Sequence, residues 1–177
     1  RTKLSVLRYG NVMSSRGSVV PYFKKLINQG KQLTLTDKNM TRFSITLNEA
    51  VDFSLKSLQL MVGGELFVPK IPSYKILDVV SAFEYKKKYK IIGKRSGEKI
   101  NEDLISIHDA PRTISLKNFF IIIPDNLTTP WNLNKFRKKN KLKKIVFCKD
   151  NFEYSSDKNS KFLTVKEIKN IINKKYD

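Results

Sequence analysis

The amino-terminal stretch decides the fold class, because a strand, a polar turn and a helix follow one another there. It begins Leu4-Ser5-Val6-Leu7-Arg8-Tyr9-Gly10-Asn11. Residues 4–9 alternate and are rich in β-forming side chains, which predicts a strand that ends at Gly10 and Asn11. The polar, glycine-bearing residues 12–18 predict a loop. Apolar residues at helical spacing then predict a helix over 19–29.

Short strands and helices alternate along the rest of the chain, which predicts an α/β fold. Further strands are predicted at 33–36, 65–69 and 90–93, and β pairing within 113–123. Further helices are predicted over 47–60, 76–83, introduced by Ser73, and 98–104. Residues 128–144 are polar, and we expect them to be poorly ordered. Thr164 and Glu167 have capping-box spacing, which predicts a terminal helix reaching about Lys174.

The formal net charge of +19 raises nucleic acid as a partner. The positive residues are spread widely, however, and the densest run, 135–144, contains only one aromatic residue, Phe136. Nucleic-acid-binding surfaces interleave basic and aromatic side chains, so this run favours a solvated face. We therefore expect no nucleic-acid partner and keep a basic nucleic-acid-binding module as the alternative from another class.

Several kinds of site are disfavoured by composition. A single cysteine, Cys148, excludes an intramolecular disulfide, and with the single histidine, His108, it argues against any metal site. No apolar run approaches the roughly 18 residues that span a bilayer, so no membrane association is expected. The first residues do not resemble a signal peptide. Cytoplasm is the simplest compartment.

Candidate binding residues are concentrated in four stretches at predicted strand ends. Gly, Arg, Asn and Ser are dense in 8–12, 15–18, 40–43 and 94–99. Loops beyond strand ends are where α/β proteins bind ligands. Arginines there suit phosphate oxygens, and an acidic residue beside an arginine suits the vicinal hydroxyls of a ribose. These residues indicate a phosphorylated, hydroxyl-rich ligand.

The order of the motifs carries a resemblance to a known family. Together they resemble the extended short-chain dehydrogenase/reductases, and within them the UDP-N-acetylglucosamine 4,6-dehydratases that invert carbon 5. The motifs lie at 8–13, 15–21, 35–37, 40–43, 63–68 and 97–99. Three further stretches, at 68–73, 117–122 and 154–156, are similar to members of the pseudaminic-acid pathway.

The resemblance implies the carboxy-terminal part of an NAD(P)-binding Rossmann-type fold, comprising its last sheet strands and the substrate-binding subdomain. Residues 1–125 would bind the sugar nucleotide, and 126–177 would be a basic extension ending in a helix. The NADP-binding half, with its glycine-rich loop and catalytic Tyr-x-x-x-Lys pair, would lie outside this chain. Tyr154 and Lys158 have that spacing, but they lie late in a polar stretch and are interpreted as a chance match. No catalytic residue is expected here.

Polar contacts to the substrate are implied at four positions. Asn11 would hydrogen-bond the diphosphate or the sugar. Arg42 and Arg95 would clamp the diphosphate, and Glu98 would accept hydrogen bonds from the uridine ribose.

Apolar and cofactor contacts are implied at the remaining positions. One wall of the nucleotide pocket would be formed by Val20, Pro21 and Phe23, and the uracil would be faced by Leu35 and Thr36. The nicotinamide end of NADP would lie near Arg8, Tyr9 and Gly10.

Two positions depart from the family pattern. Ser14 stands where the family usually has Gly, and Ser96 stands where it often has Pro. Gly tolerates positive φ and Pro stiffens a turn, so both changes affect loop geometry.

In the family, NADP takes hydride from carbon 4, water is lost across carbons 5 and 6, hydride returns to carbon 6, and a proton is added to carbon 5 from the opposite face. The resemblance thus implies NADP as cofactor, a UDP-sugar as substrate and a homo-oligomer at full length. We expect the isolated chain not to turn over substrate. A retaining dehydratase, a 4-epimerase and a scaffold that only oligomerises remain alternatives.

Overall fold

A computed structural model describes residues 2–125 and 131–174. The chain folds as two compact units, each assembled from three separate stretches of sequence. The first, which we call the sheet unit, comprises Arg1–Tyr9, Asn48–Lys70 and Asp103–Ser155. The second, the cavity unit, comprises Gly10–Leu47, Ile71–Glu102 and Ser156–Asp177. Both units take residues from each side of position 125, and the predicted boundary there stays a prediction.

Strands and short helices alternate along the described residues, which confirms the α/β class. The strands, β1 to β12, are Val6–Leu7, Asn11–Val12, Thr34–Leu35, Thr41–Ile45, Leu66–Pro69, Ser73–Lys75, Lys90–Ile91, Asp103–Ile105, Thr113–Ser115, Phe119–Ile122, Val146–Phe147 and Tyr154–Ser155. The helices, α1 to α5, are Val19–Asn28, Leu47–Leu60, Ile76–Ala82, Leu133–Lys139 and Val165–Asn173. None of them is long and apolar enough to cross a membrane, among the residues described.

The sheet unit is built on five strands in the order β1-β5-β10-β9-β11. β1 and β5 are parallel, with Val6 beside Leu66, and the remaining neighbours are antiparallel. The hairpin of β9 and β10 confirms the pairing predicted within 113–123. Phe67, Ile121 and Phe136 are fully buried in the core of this unit.

A fully buried carboxylate, Glu65, closes the turn before β5. It accepts hydrogen bonds from the Ser5 hydroxyl at 2.7 Å, the Val62 N–H at 2.8 Å, the Gly63 N–H at 2.9 Å and the Trp131 indole N–H at 3.1 Å. Burial alone raises the pKa of Glu65, but these donors together hold it below its usual value. The charged form is therefore the one that the fold stabilises.

The prediction of poor order over 128–144 is wrong for the described part, which contains α4. The Asn132 side chain caps this helix by accepting from the Lys135 N–H at 2.9 Å. Phe136 is fully buried, with its ring centroid 5.5 Å from that of Trp131. A single aromatic anchor among many lysines is too sparse to show as helical periodicity. Residues 126–130 lie outside the described residues.

In the core of the cavity unit, the helices α1, α3 and α5 pack with the strands β3 and β6. β4 lies between β2, which is parallel to it, and β6, which is antiparallel. Val20, Phe23 and Ile168 are among its buried core residues. The capping box of α5 is present as predicted, with the Thr164 side chain accepting from the Glu167 N–H and the Glu167 side chain from the Thr164 N–H.

Three local predictions are wrong. The strand predicted over 4–9 is limited to Val6–Leu7, and a second strand, Asn11–Val12, lies where a turn and a loop were predicted. Ser73 lies in β6, and α3 begins after Lys75. Residues 98–104 are not helical, because the Ile100 carbonyl accepts from the Thr41 N–H at 3.1 Å and from the Arg42 guanidinium at 2.8 Å. That carbonyl is therefore committed to β4 rather than to a helix of its own.

Candidate substrate cavity

A cavity of about 680 Å³ lies within the cavity unit. Its lining comes from β2, the loop after it, α1, β3, β4, β6, the first residue of α3 and the segment before residue 99. The structure brings all nine predicted substrate-binding residues to this one cavity: Asn11, Val20, Pro21, Phe23, Leu35, Thr36, Arg42, Arg95 and Glu98. Their individual roles stay predictions.

The apolar side of the cavity is made by α1 and β3. Val20 and Phe23 of α1 and Leu35 of β3 are buried, so they present rigid apolar surface. Tyr22 also lines the cavity, and its hydroxyl lies 2.9 Å from that of Thr34. An apolar wall with hydroxyls beside it suits a flat heterocycle that carries polar edges.

Glu98 is held on two sides. Its carboxylate accepts from the Thr36 hydroxyl at 3.2 Å and from the Arg95 N–H at 3.1 Å. The Glu98 N–H donates back to the Arg95 carbonyl at 3.1 Å, and Gly97 turns the chain with a φ of +78°. The turn is thus closed by Glu98 itself, although Ser96 replaces the proline common in the family. The carboxylate is fixed in place before any ligand arrives.

Arg42 is buried, and each nitrogen of its guanidinium already has a partner within the protein. Nη1 and Nη2 donate to the carbonyls of Thr41, Ile100 and Lys99 at 2.7 Å, 2.8 Å and 2.9 Å and to the Met40 sulfur at 3.0 Å. Nε lies 3.4 Å from the Glu102 carboxylate. Arg42 therefore ties β4 to the segment that follows Arg95 and Glu98. This positioning role was not expected, and its predicted contact with a diphosphate stays a prediction.

A buried tyrosine stands beside Arg42. Tyr74 lines the cavity, and burial raises its pKa to about 12, partly offset by the Arg42 charge. Its hydroxyl therefore stays protonated at neutral pH.

Two cations of the cavity were missed in the sequence. Arg16 and Lys25 line it, and both are exposed. Neither they nor the Arg95 side chain has a hydrogen-bond or ion-pair partner among the residues that the structure describes. Arg16 lies within the noted motif at 15–18, so its presence there was the available signal. The sequence contained no signal for Lys25, because lysines are common on the exposed face of amphipathic helices.

The loop before α1 contains two orphaned hydroxyls and one strained residue. Ser14 has a φ of +68°, a conformation that favours glycine. Its Oγ and that of Ser18 are buried without a hydrogen-bond partner within the described chain. Ser18 precedes α1 but its side chain does not cap the helix.

The predicted cofactor residues are divided between the units. Arg8, in the sheet unit, donates to the Leu104 carbonyl at 3.0 Å and to the Asp109 carboxylate at 3.2 Å. Tyr9 is exposed. Gly10, in the cavity unit, packs so closely on β4 that an added Cβ would overlap the Cβ of Phe43. Packing against β4 is therefore enough to explain why this position is a glycine.

The chance match to the catalytic pair does not lie on a helix. Tyr154 is in β12, is buried, and packs against Phe120 with ring centroids 5.2 Å apart and the rings tilted by 53°. Tyr154 is thus a core residue, which supports the interpretation of its spacing to Lys158 as a chance match.

The fold and this cavity define part of an extended short-chain dehydrogenase/reductase. The chain belongs to the polysaccharide biosynthesis protein family, whose sequence profile matches residues 1–124.

Named relatives of this chain include two kinds of enzyme. It is 45% identical, over 98% of its length and 52% of the relative's, to the UDP-N-acetylglucosamine 4,6-dehydratase (inverting) of Campylobacter jejuni strain 81-176. It is 38% identical, over 97% of its length and 49% of the relative's, to the UDP-glucose 4-epimerase of Rickettsia akari.

A solved structure has the same fold. Pen from Bacillus thuringiensis matches with a TM-score of 0.76 and 27% identity, over 96% of this chain and 48% of that one. The chain therefore spans about half the length of the relatives it matches, which fits the carboxy-terminal portion expected from the sequence.

Proposed function

We propose that the chain binds a UDP-sugar, UDP-N-acetylglucosamine, as the substrate half of an inverting 4,6-dehydratase that serves pseudaminic acid or surface polysaccharide biosynthesis. The observation that carries the proposal is the convergence of all nine predicted substrate-binding residues on one cavity. Those residues are spread from position 11 to position 98, so no local regularity of the chain explains their meeting.

The cavity offers a matching group for each part of a nucleoside diphosphate. The uracil packs against the apolar wall of Val20, Phe23 and Leu35. The ribose hydroxyls donate to Glu98, whose position is already fixed by Thr36 and the Arg95 N–H. Because these contacts exist without ligand, little ordering entropy is lost when the nucleotide binds.

The diphosphate meets an excess of positive charge. Arg16, Lys25 and Arg95 line the cavity as exposed cations, whereas Glu98 is the one carboxylate among its described lining residues. A guanidinium binds two phosphate oxygens at once, and a lysine adds a point charge. Arg42 stabilises the segment that carries Arg95 and Glu98, because its guanidinium donates hydrogen bonds to the carbonyls of Lys99 and Ile100.

NADP is proposed for the full-length enzyme, where it would exchange hydride with the sugar. Within the described part of the chain, the three predicted cofactor residues do not form a dinucleotide site by themselves. Arg8 is bound to Asp109, the absent side chain of Gly10 is required by Phe43, and only Tyr9 is left as an exposed ring. This chain's share of the reaction is therefore to bind and orient the sugar nucleotide. By itself it is expected to be inactive, and homo-oligomerisation of the full-length enzyme stays a prediction.

The test is calorimetric titration of the chain with UDP-N-acetylglucosamine, UDP, uridine and free N-acetylglucosamine. We expect UDP to retain most of the affinity of the sugar nucleotide and uridine to lose at least about tenfold, because the cations act on the diphosphate. Equal affinity for UDP and uridine would contradict the diphosphate site. No binding of any of the four would contradict the proposal as a whole.

A 4-epimerase is the second candidate, because relatives of similar coverage have that name. Product mass separates the two when the full-length protein is assayed with UDP-N-acetylglucosamine. Loss of water identifies a dehydratase, and unchanged mass with an inverted carbon 4 identifies an epimerase.

A further inference from the structure

The sheet unit contains a cavity of about 310 Å³, which we call the basic pocket. Its lining combines cations with apolar side chains: Arg137, Lys143, Lys144, Leu133, Ile145 and Phe147. The surrounding sequence is basic throughout, since residues 131–149 contain eight Lys and Arg and no Asp or Glu. A concave site with apolar walls and uncompensated positive charge suits an anionic ligand that also carries an apolar group.

The cations of the basic pocket are available to a ligand. Arg137 donates from Nε to the Leu142 carbonyl at 3.1 Å and from Nη2 to the Lys143 carbonyl at 2.9 Å. These bonds hold the guanidinium at the pocket, and its Nη1 has no partner among the residues that the structure describes. Lys143 and Lys144 are exposed, and their side chains are also unpaired within the described residues. An arriving carboxylate therefore meets three cations without displacing an existing ion pair.

The backbone of β11 adds an open strand edge to the pocket. β11 is the last strand in the order β1-β5-β10-β9-β11, so one of its edges has no strand partner among the described residues. Val146 lies opposite Ser115 of β9, and the Cys148 N–H donates to the Thr113 carbonyl at 2.8 Å. Alternate residues of an antiparallel strand direct their backbone groups to the same neighbour, so the N–H and C=O of Phe147 point to the open edge. Phe147 is 42% exposed.

From the pocket and this edge we propose that the sheet unit binds an acidic, extended segment of a partner protein along β11. The segment would pair with the N–H and C=O of Phe147, its carboxylates would contact the three cations, and an apolar side chain would enter the basic pocket. Ile145 and Phe147 both line the pocket and are two residues apart, which matches the two-residue repeat of an extended peptide. The proposal does not depend on the UDP-sugar proposal, because residues of the sheet unit alone line this pocket.

Three other occupants fit less well. A second copy of this chain would bring together surfaces of the same sign, since the net charge is +19 and residues 131–149 have no acidic side chain. A nucleic acid would leave the strand edge unused. Successive bases also need successive aromatic rings, whereas Phe147 is the one ring in the described lining. A lipid surface would not enter a concave site.

The test titrates the chain with a fluorescein-labelled octapeptide in which Glu and Val alternate. We expect the wild type to bind it saturably. The double variant K143E/K144E should weaken binding at least about tenfold, because it replaces two cations of the pocket with carboxylates. K135E/K138E is the matched control, since it makes the same charge change at two lysines of the same basic run that do not line the pocket. It should change the affinity less than about twofold.

Two further peptides test the mode of binding on the wild type itself. An octapeptide of Glu alone keeps the negative charge but has no apolar side chain for the pocket. The Glu-Val octapeptide with alternate N-methyl groups keeps the side chains but cannot donate hydrogen bonds to the strand edge. We expect each to bind at least about fivefold more weakly than the parent peptide. Equal binding of either one overturns the proposal.

The remaining outcomes identify a different occupant. Tighter binding of a thymidine octanucleotide or of phosphatidylglycerol vesicles, abolished in K143E/K144E, would assign the pocket to nucleic acid or to a membrane. A dimer in sedimentation that K143E/K144E dissociates would assign it to a second copy. Either result overturns the proposal, as does failure of the wild type to bind the Glu-Val octapeptide. UDP titration of K143E/K144E should match the wild type, so the cavity proposal is tested separately.

Discussion

The Thr36 hydroxyl donates a hydrogen bond of 3.2 Å to the Glu98 carboxylate, joining the end of β3 to the turn at 95–98. The two residues are far apart in the chain, and both line the cavity. The bond fixes the carboxylate on the side of the cavity where the nucleotide base is proposed to lie, so the proposed contact between Glu98 and the ribose requires no rearrangement of this side chain.

Removing the carboxylate should weaken nucleotide binding. We expect Glu98→Ala to reduce UDP affinity about tenfold, because ribose hydroxyls lose a charged acceptor worth about 1.5–3 kcal/mol. Titration calorimetry measures the effect. Glu84→Ala is the control, since Glu84 is an exposed carboxylate of the same unit that binds Lys169. Equal losses of UDP affinity in Glu98→Ala and Glu84→Ala would indicate an effect of net charge rather than a contact between Glu98 and the ribose.

Arg95 and Arg42 should respond differently to truncation. Arg95→Ala should lower UDP affinity and flatten its salt dependence without changing the melting temperature, because the Arg95 side chain is exposed and unpaired within the described residues. Arg42→Ala should destabilise the protein by about 2–4 kcal/mol, because it removes buried hydrogen bonds to the carbonyls of Thr41, Lys99 and Ile100. Denaturant unfolding and titration on both variants separate the roles. A stable Arg42→Ala protein would refute the positioning role.

Glu65 should make stability depend on pH. Its folded pKa is lowered by the donors around it, so the stabilisation is fully present above its unfolded pKa and is lost as the pH falls through the folded pKa. Glu65→Gln should therefore cost about 1–3 kcal/mol at neutral pH. The difference in free energy of unfolding between the wild type and Glu65→Gln should become smaller as the pH is lowered. Urea unfolding of both proteins from neutral to acid pH measures this difference. A difference that stays constant with pH would contradict the conclusion that the fold stabilises the charged form of Glu65.

Ser14→Gly should stabilise the chain. Ser14 has a φ of +68° and a buried hydroxyl without a partner among the described residues. A left-handed conformation costs a serine about 1–2 kcal/mol, and glycine removes this cost. Glycine also loses more conformational entropy on folding, so the net gain in free energy of unfolding is about 0.5–1 kcal/mol. Thermal or urea unfolding measures the gain. Ser15→Gly, at an ordinary φ, should instead be destabilising, and stabilisation by both variants would point to a general loop effect.

Much of the architecture could be predicted because it depends on neighbours in the chain. The helices α1, α2 and α5 follow from apolar spacing and, for α5, from the pair Thr164 and Glu167, all of which act within a few residues. The ordered motifs likewise indicated the family and the lining of the cavity. They could do so because residue types and their order along the chain can be compared with a family without knowledge of the fold.

Other features arise only when distant segments meet in space. Local spacing predicted a helix over 98–104, but Arg42 of β4 takes the carbonyls that such a helix would have used. Local polarity predicted disorder around α4, but Phe136 is fully buried in the core of the sheet unit with Phe67 and Ile121. In both cases hydrogen bonding or burial with residues far along the chain outweighs local preference, because each contributes more free energy than a residue's intrinsic propensity.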